Sequence, residues 1–595
     1  MAARRTRSRT RIRTAIVAVL TFALLATFVV RLADIQLVRA EALNAEADGR
    51  RGVTQTLFGT RGPIVDANGT VLAESVDRWD LTISPQYTRD LQPGIDPVDE
   101  LMTVGDALIA IGGITGDDPR DLQAMIYAEL ERDPDSDYLM LSTGLDARQF
   151  EAVRDLRIPW VYLRLNPQRV YPAGAVAGNL VGFMGTDDPL AGIERSHDAC
   201  LAPTDGQRMF DRSADGTPIP GSITTTPAVD GGTVQLTIDA DVQYQVQQLT
   251  AQYTSQLRAR SGTSVVMRAD GTVVAVAEST TVDPNDPTGT AAKDRGSRAF
   301  TSAYEPGSIW KTFAWAAMLD LGLIERTDEL SVPWTYEAPG ARVRDAHSHE
   351  PKQWTAAGIL VNSSNSGMSR LAEQLDREDL YDYFDRFGFG QQTAVGFAGE
   401  QAGVLHDPAT LDPQTSLTSL FGQGLSATPI QLASGYQAMA NDGVHLPVRL
   451  IAGCTDAEGQ VTSPELPEGQ RVVSSETAES TLEVLEHVVT DYGYDTFPIE
   501  GYRIAAKTGT AQMAYDDGSG YDPDRMMISV AGVFPVDDPQ FVVVTLYDSP
   551  QTIRTSGGAI PAFHDMVNLL IRHYDIPPST TPAPDVPLEW PAEQP

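Results

Sequence analysis

The first pattern in the chain is an apolar run near its N-terminus. Residues 14–30 carry no charge, follow six arginines placed between residues 4 and 13, and end at Arg31. This length is at the short end of what spans a bilayer, and the arginines predict a cytoplasmic N-terminus with the rest of the chain outside. The alternative is a cleaved signal peptide, but the nearest small-residue cleavage pattern, Ala40-Glu41-Ala42, lies well past the run. We therefore predict a cytoplasmic tail over 1–13 and a retained transmembrane helix over 14–31.

The next two hundred or so residues alternate between helix-like and strand-like patterns. A helical pattern continues from the anchor through residues 31–48. Strand-like alternation follows over 53–75 around the turn Asp66-Ala67-Asn68-Gly69, and the pattern is helical again from about 98 to 157. The Gly- and Pro-bearing stretch 204–227 predicts a boundary, giving a first extracytoplasmic domain over 32–225.

A second domain is predicted over 226–576, and it mixes strands with helices. Helical patterns dominate from 310 to about 383. The predicted strands cover 234–238, 264–267, 273–277, 504–511, 526–534 and 541–547, with a final amphipathic helix over 561–574. The proline-rich tail, 577–595, is predicted to be disordered.

Length and charge narrow the class of protein. A chain of 595 residues is too long for one core, and 42% hydrophobic with 21% charged residues is a globular composition. The net charge is −36 despite the basic N-terminus. Such an acidic protein repels phosphate backbones, so nucleic acid is not an expected partner.

Two cysteines, Cys200 and Cys454, are present, and they lie far apart in different predicted domains. A disulfide framework is excluded by this number, and a single bridge is possible but has no support in the sequence. We expect two buried, inert thiols.

Lysine is scarce. Of 44 basic residues, four are lysines: Lys293, Lys311, Lys352 and Lys507. A coding bias towards arginine explains the scarcity but not the positions, since two of the four lie in three- or four-residue patterns that carry chemistry. Arginine is permanently charged, whereas a desolvated lysine can lose its proton, so lysine is retained where a base is needed.

The first pattern is the S-x-x-K formed by Ser308 and Lys311. An apolar run from Ile309 to Leu321 ends at Gly322, which predicts a helix beginning at Ser308. Residues three apart share a helix face, so the Lys311 amine can reach the Ser308 hydroxyl. Burial under Trp310 and Phe313 would lower the lysine pKa and create a base for the serine.

Two further patterns complete the candidate chemistry. Ser363 and Asn365 form an S-x-N in a short polar segment, offering a second hydroxyl for proton transfer and a carboxamide for a peptide bond. Lys507-Thr508-Gly509-Thr510 lies in a strand-like segment, where Gly509 permits close approach of a substrate backbone and the cation and hydroxyls suit a carboxylate.

Two other interpretations of these residues are weaker. Gly501 to Thr508 is one residue away from a phosphate-binding loop, but such a loop opens a helix, and this segment is strand-like. His347 and His349 could suggest a metal, but no third ligand stands at a useful spacing. No metal and no cofactor is expected.

The order S-x-x-K, S-x-N, K-T-G resembles the penicillin-binding proteins and serine β-lactamases. The flanking segments Arg298-Ala299-Phe300 and Gly422 to Gln431 are similar to transpeptidase domains. The segments Arg61 to Ala73, Arg169 to Gly174 and Gly192-Ile193-Glu194 resemble the pedestal of class B penicillin-binding proteins, with Ala67 where that family usually has arginine. The resemblance implies an α+β fold: a membrane-anchored pedestal (dimerisation-type) domain, then a transpeptidase domain with an antiparallel five-stranded sheet and helices on both faces.

The resemblance also implies a role for each site residue. Ser308 would attack the D-Ala-D-Ala carbonyl of a peptidoglycan stem peptide, with Lys311 as its base, and β-lactams would acylate the same serine. Ser363 and Lys507 would transfer a proton to the leaving D-Ala, with Lys507 acting mainly as a positive charge. Asn365 would contact the peptide amide, and Thr508, Gly509 and Thr510 would bind the substrate. The backbone N–H groups of Ser308 and Thr510 would stabilise the oxyanion.

Within the family, the anchor and long pedestal disfavour a β-lactamase. The pedestal does not resemble a glycosyltransferase domain, so a bifunctional class A enzyme is disfavoured as well. The segments Arg31 to Leu37 and Gly501 to Gln512 favour the cell-division (septal) type over the elongation type. Expected partners are a membrane glycosyltransferase and other division proteins. The alternatives left open are an elongation enzyme, a β-lactam sensor and a division scaffold.

Overall fold

The computed structural model describes residues 3–40, 52–88, 103–186, 188–211, 219–491, 493–515 and 520–590. The chain forms two compact units. One contains residues 1–60 and 203–230, and the other contains residues 61–202 and 231–595. These units do not follow the predicted boundary at 225, because residues 61–202 associate with the C-terminal part of the chain.

The first unit contains the predicted anchor. A helix runs over Ala3–Ala33 and continues as one π-helical stretch, Asp34–Val38. Its segment Ile12–Val38 is long and apolar enough to cross a membrane, with a mean hydropathy of 2.4. The helix predicted to reach residue 48 is described to residue 38, and 41–51 lie outside the described residues. The rest of the unit is an antiparallel sheet of Gly52–Leu57, Gly206–Asp211 and Thr224–Thr226.

The second unit begins with a small α+β region that has its own hydrophobic cluster. The strands Trp79–Ile83, Leu139–Leu145 and Val161–Leu165 form an antiparallel sheet, and Leu81 and Ile111 are among its buried residues. The helices are Val104–Thr115, Pro119–Arg132 and Ala147–Asp155. The helical pattern predicted over 98–157 is therefore wrong at Leu139–Leu145, which pairs with Trp79–Ile83.

The three pedestal-like segments meet at one buried carboxylate. Glu194 is fully buried and accepts hydrogen bonds from Arg61 Nε and Arg169 Nε, both at 2.7 Å, and from the Tyr171 hydroxyl at 3.2 Å. Arg61 also pairs with Asp198. A buried charge is stable only with such partners, which explains why these separated segments carry arginine and glutamate.

A six-stranded sheet joins the predicted pedestal to the C-terminal part of the chain. Its order is Val461–Thr462, Ile451–Thr455, Thr233–Leu236, Ile64–Val65, Val71–Val76 and Gln168–Val170. The turn predicted at Asp66–Gly69 lies between two of these strands, with Gly69 at a φ of +84°.

Cys200 and Cys454 form a disulfide, so the prediction of two free thiols is wrong. Strand pairing places Cys454 opposite Val234, and the Gly232 N–H donates to the Cys200 carbonyl at 2.7 Å. The two Cα atoms are consequently 6.2 Å apart despite a separation of 254 residues in sequence. The bridge arises from long-range strand pairing, which the spacing of the cysteines does not reveal.

The transpeptidase-like region is built on an antiparallel five-stranded sheet, as expected. We number its strands β1 (Ser261–Arg268), β2 (Val273–Glu278), β3 (Ala505–Ala514), β4 (Tyr521–Phe534) and β5 (Phe541–Asp548), in the spatial order β2-β1-β5-β4-β3. Consecutive residues of β1, β2 and β5 are buried, which requires cover on both faces. β3 is an edge strand.

Helices that accompany this sheet are α1 (Ala240–Leu257), α2 (Lys311–Asp320), α3 (Ala356–Val361), α4 (Asn365–Leu371), α5 (Pro429–Ala440), α6 (Ser475–Asp491) and α7 (Ile560–His573). α2 is buried almost all round, as its apolar sequence predicts. Further helices of the second unit are Gly178–Val181, Gly192–Ser196, Asp198–Leu201, Arg298–Thr301, Arg377–Arg386 and Pro413–Thr418.

The region predicted as mostly helical, 310–383, also contains four short strands. Glu329–Val332 pairs with Lys352–Thr355, and Thr335–Ala338 pairs with Ala341–Arg344 around Gly340, whose φ is +79°. Val332, Val343, Trp354 and Thr355 supply the β-branched and aromatic residues that strands favour. Two-residue strands occur at Val444–His445 and Gln470–Arg471.

The proline-rich tail, which was predicted to be disordered, packs against the rest of the protein in its described part. Residues 576–590, which we call the C-terminal strap, run from α7 past the start of β3 and α6 to the strand Lys352–Thr355. Ile576 and Val586 are each 3% exposed. The prolines suit an extended chain, and these apolar side chains anchor it to the core.

Candidate active site

Ser308 lies where the chain turns into the central helix. Gly307–Trp310 forms a single 3-10 turn that leads directly into α2, so the predicted helix start is confirmed. The turn packs against β3: a Cβ on Gly307 would lie 2.9 Å from the Ala511 Cβ. The buried Trp310 and Phe313, in edge contact with a centroid separation of 5.5 Å, fix the base of this helix.

Lys311 is fully buried, and its amine points at the S-x-N segment. The Lys311 Nζ donates to the Ser363 carbonyl oxygen at 2.5 Å and to the Ser363 Oγ at 3.3 Å. Burial lowers the pKa of Lys311 to about 7, and the charge of Asp345 partly opposes this effect. The Lys311 pKa is therefore lowered, as predicted, but the Lys311 amine donates to Ser363 rather than to Ser308.

Ser363 stands between two lysines in a strained backbone conformation. Its φ is +57°, a value that serine rarely adopts. Lys507 Nζ also donates to the Ser363 Oγ, at 3.0 Å. Strain of this kind persists where the surroundings impose it, and it is enriched at functional sites.

Lys507 is fully buried in β3 and also carries a perturbed amine. Burial holds the pKa of Lys507 well below its ordinary value, and the charge of nearby Lys311 lowers it further. Two ammonium groups on one hydroxyl repel each other, so the pair titrates as a coupled unit that favours the loss of a proton. The expectation that Lys507 acts mainly as a positive charge stays a prediction.

The K-T-G segment is a strand, which removes the phosphate-loop alternative. Alternation along β3 places Thr508 and Thr510 on one strand face. Thr508 is buried, and the Thr510 Oγ1 accepts a hydrogen bond from the Ser556 N–H at 3.0 Å. A Cβ on Gly509 would lie 3.0 Å from the Ile309 Cγ2, so glycine lets β3 approach the Ser308 turn.

Asn365 begins α4, and a carboxylate that the sequence did not single out supports this turn. The Asn365 Nδ2 donates to the Arg344 carbonyl at 3.1 Å. Asp345 accepts from the Ser364 hydroxyl at 2.7 Å and from the Ser366 N–H at 2.9 Å. His349 pairs with the same carboxylate at 2.9 Å. Asp345 reaches this turn because it directly follows the strand Ala341–Arg344, which pairs with Thr335–Ala338. A helical pattern was predicted for this region, so the pairing was not expected.

These contacts assemble one compact chemical site. A serine hydroxyl on a helix start, two buried amines of lowered pKa and a second hydroxyl between them can move a proton from a nucleophile towards a leaving group. Among the described residues, no group of three His, Cys, Asp or Glu side chains could hold a metal ion.

Sequence comparisons match both parts of the chain to one family. Residues 262–566 match the penicillin-binding protein transpeptidase domain, and residues 56–189 match the penicillin-binding protein dimerisation domain. The chain belongs to the penicillin-binding protein transpeptidases. The dimerisation domain places this penicillin-binding protein in class B, as the pedestal-like segments predicted.

Individual relatives agree with that assignment. Penicillin-binding protein PbpB of Mycolicibacterium smegmatis is 36% identical over 602 residues, covering 95% of this chain and 91% of the relative. Peptidoglycan D,D-transpeptidase FtsI of Escherichia coli is 28% identical and covers 92% of this chain and 89% of its own. The crystal structure of penicillin binding protein 3 from Mycobacterium tuberculosis, complexed with aztreonam, is 29% identical with a TM-score of 0.69 and covers 90% of this chain and 100% of its own.

Proposed function

We propose that this penicillin-binding protein cross-links peptidoglycan stem peptides through an acyl-enzyme on Ser308. The convergence of Lys311 and Lys507 on Ser363, beside the turn that carries Ser308, is the observation that carries the proposal. Relatives named peptidoglycan D,D-transpeptidase and a relative solved with aztreonam support the substrate and the inhibitor class.

The first half-reaction forms the acyl-enzyme. The Ser308 Oγ attacks the carbonyl carbon between the two terminal D-Ala residues, and neutral Lys311 accepts the hydroxyl proton. The backbone N–H groups of Ser308 and Thr510 stabilise the oxyanion. The C–N bond then breaks, and Ser363 with Lys507 delivers a proton to the departing D-Ala amine.

The second half-reaction transfers the acyl group. An amine from a neighbouring stem peptide attacks the ester carbonyl, loses its proton to the same relay and releases Ser308 with its hydroxyl restored. Asn365 holds the donor peptide amide, and Thr508 and Thr510 hold the terminal carboxylate beside Gly509. A β-lactam also forms an ester with Ser308, but the amine released when its ring opens stays covalently attached to the acyl group.

Septal wall synthesis is the proposed cellular role. Relatives named PbpB and FtsI are class B proteins of the division type. The apolar segment Ile12–Val38 serves as a single-pass anchor, and the arginines near its start support an N-terminus in the cytoplasm with the catalytic region outside. A membrane glycosyltransferase would supply the nascent strands, and other division proteins would complete the assembly.

Two experiments test this proposal. Full-length protein in detergent, given nascent glycan strands with pentapeptide stems, should release one D-Ala per cross-link, and Ser308→Ala should release none. A fluorescently tagged copy should concentrate at mid-cell before division; distribution along the lateral wall would contradict the septal role but not the chemistry.

A further inference from the structure

We infer that the C-terminal strap is a positioning element of the active site, fixing the starts of β3 and α3 so that Lys507 and Ser363 meet in register. This inference rests on the proposed function, because acylation of Ser308 is its readout. The strap and α3 lie more than two hundred residues apart in the sequence.

At its first end the strap holds the lead into β3. The Ser579 N–H donates to the Gly501 carbonyl at 2.9 Å, and the Ser579 Oγ accepts from the Arg503 N–H at 3.0 Å. The Tyr502 hydroxyl donates to the Ile576 carbonyl at 2.7 Å. Lys507 follows Arg503 by four residues, so these bonds fix the backbone from which its side chain extends.

In its middle the strap crosses α6. Arg503 pairs with the buried Glu486 of α6 at 2.5 Å and donates from Nη1 to the Thr581 Oγ1 at 2.9 Å. A ring nitrogen of His487 lies 3.3 Å from the Pro584 carbonyl. The strap, α6 and the start of β3 therefore share one hydrogen-bonded cluster.

At its far end the strap completes the start of α3. The Thr355 hydroxyl caps this helix by accepting from the Gly358 N–H at 3.0 Å, and it donates its own proton to the Pro587 carbonyl at 2.7 Å. The Thr355 N–H donates to the Leu588 carbonyl at 3.1 Å. The strap thus satisfies groups that a helix start otherwise leaves unpaired.

The fit at Gly358 leaves no room for a side chain. A Cβ on Gly358 would lie 1.9 Å from the Leu588 carbonyl oxygen, and its next two nearest atoms also belong to Leu588. Only glycine lets the strap reach this depth on α3. All six residues of α3 are buried, and the chain reaches Ser363 two residues after the helix ends.

The geometry links the strap to the chemistry through short, rigid segments. Displacement of α3 or of the β3 lead would change the distance between Lys507 Nζ and Ser363 Oγ, which is 3.0 Å. Misplacement of a reacting group by about 1 Å can cost about a hundredfold in rate. A strap that served only stability would change the thermal midpoint and leave this step unchanged.

Truncation provides the main test. A truncated chain ending at Ala583 loses the part of the strap on α3, and a matched chain ending at Trp590 keeps the strap contacts with the β3 lead, α6 and α3. Stopped-flow acylation by a fluorescent penicillin at 25 °C should show the acylation step about tenfold or more slower in the Ala583 chain, with the initial binding constant unchanged. The Trp590 chain should match wild type.

A double-mutant cycle separates the strap from general helix effects. Gly358→Ala should slow acylation in the full-length chain, because its methyl group displaces Leu588. In the Ala583 chain the same substitution should have no further effect, because the atoms it would strike are gone. Equal effects in both chains would contradict the inference.

Two substitutions of Thr355 test the inference if the truncated chain does not fold. Thr355→Ser keeps the cap and the donor to Pro587 and should acylate at the wild-type rate, whereas Thr355→Val should be slowed like the truncation. Wild-type rates in both the Ala583 chain and Thr355→Val would overturn the strap's role alone. A wild-type chain that no penicillin labels would instead overturn the proposed function.

Discussion

Two buried lysines on one serine set the chemistry of this site. Lys311 and Lys507 both donate to the Ser363 Oγ, and burial lowers the pKa of each. A permanently charged side chain would cost more free energy at these positions than a lysine that can become neutral. The retention of lysine in a chain that otherwise uses arginine follows from this requirement.

Replacement of Lys311 by arginine should remove the base. A guanidinium cannot accept the Ser308 proton near neutral pH, so Lys311→Arg should acylate at least about a hundredfold more slowly than wild type. The matched control is Lys293→Arg at an exposed lysine, which should behave as wild type. Rapid acylation of Lys311→Arg, measured by penicillin labelling, would show that the proton goes elsewhere.

The pH profile of acylation should report the Lys311 amine and its carboxylate neighbour. With a pKa of about 7, the neutral base form increases as the pH rises, so the rate should rise through about pH 7. Asp345→Asn can still accept from the Ser366 N–H through its amide oxygen, but it removes the charge that keeps this pKa up. Its profile should move to lower pH; an unchanged midpoint would argue against Asp345 acting on Lys311.

Sequence reasoning found the residues that belong to short patterns and missed those that depend on pairing. Lys311, Ser363 and Lys507 were predicted from short patterns and their side chains meet, and Ser308 lies on the turn that packs against the strand of Lys507. Asp345 was missed because it reaches the site only through the strand before it. The Cys200–Cys454 bridge was missed for the same reason.

The Ser308 turn depends on a loop that the sequence also marked. The Gly307 N–H donates to the Gly422 carbonyl at 3.0 Å, and a Cβ on Gly422 would lie 2.4 Å from the Gly307 carbonyl oxygen. Glu305, just before this turn, accepts from the Gly424 N–H and from the Tyr521 hydroxyl, both at 2.9 Å. The loop at Gly422 and Gly424, the Ser308 turn and the start of β4 therefore hold one another in position.

Gly422→Ala should displace the Ser308 turn. Gly422 and Gly459 both have φ near +80°, but a Cβ on Gly459 meets nothing within 4 Å. Both alanine variants should lose about 1–2 kcal/mol from backbone strain, and Gly422→Ala about 1–3 kcal/mol more from the clash. Acylation should slow in Gly422→Ala alone. Equal acylation by the two variants would contradict the coupling of loop and turn.

The strands of the central sheet could be predicted well because they are long and apolar, and β3, β4 and β5 lie where expected with slightly longer limits. The short strands between 329 and 355 could not, because each has four residues and packs beside buried helices. The strap has no periodicity of its own, and its order comes from contacts with α3, α6 and the β3 lead.

The whole chain is organised by long-range pairing more than by its order in sequence. Residues 61–202 share a compact unit with 231–595, and a six-stranded sheet and the disulfide connect them. A boundary placed from composition at 225 does not detect this, because turn-rich composition marks loops rather than the partners of the strands around them.

Removal of the disulfide should destabilise the protein without changing its chemistry. The bridge closes a loop of 254 residues, and its loss in Cys200→Ser/Cys454→Ser should reduce the free energy of unfolding by about 2–5 kcal/mol. Denaturant unfolding followed by tryptophan fluorescence measures this loss. Acylation at 25 °C should remain at the wild-type rate. Unchanged stability would mean that strand pairing alone fixes this junction.

The identity of the acylated residue tests the central claim most directly. Full-length protein treated with a penicillin and digested should yield one modified peptide, with the adduct mass on Ser308. Ser308→Ala should give no adduct under the same conditions, while its folding is checked by its thermal midpoint. An adduct on Ser363 or another residue, or one that persists in Ser308→Ala, would contradict the assignment of Ser308 as nucleophile.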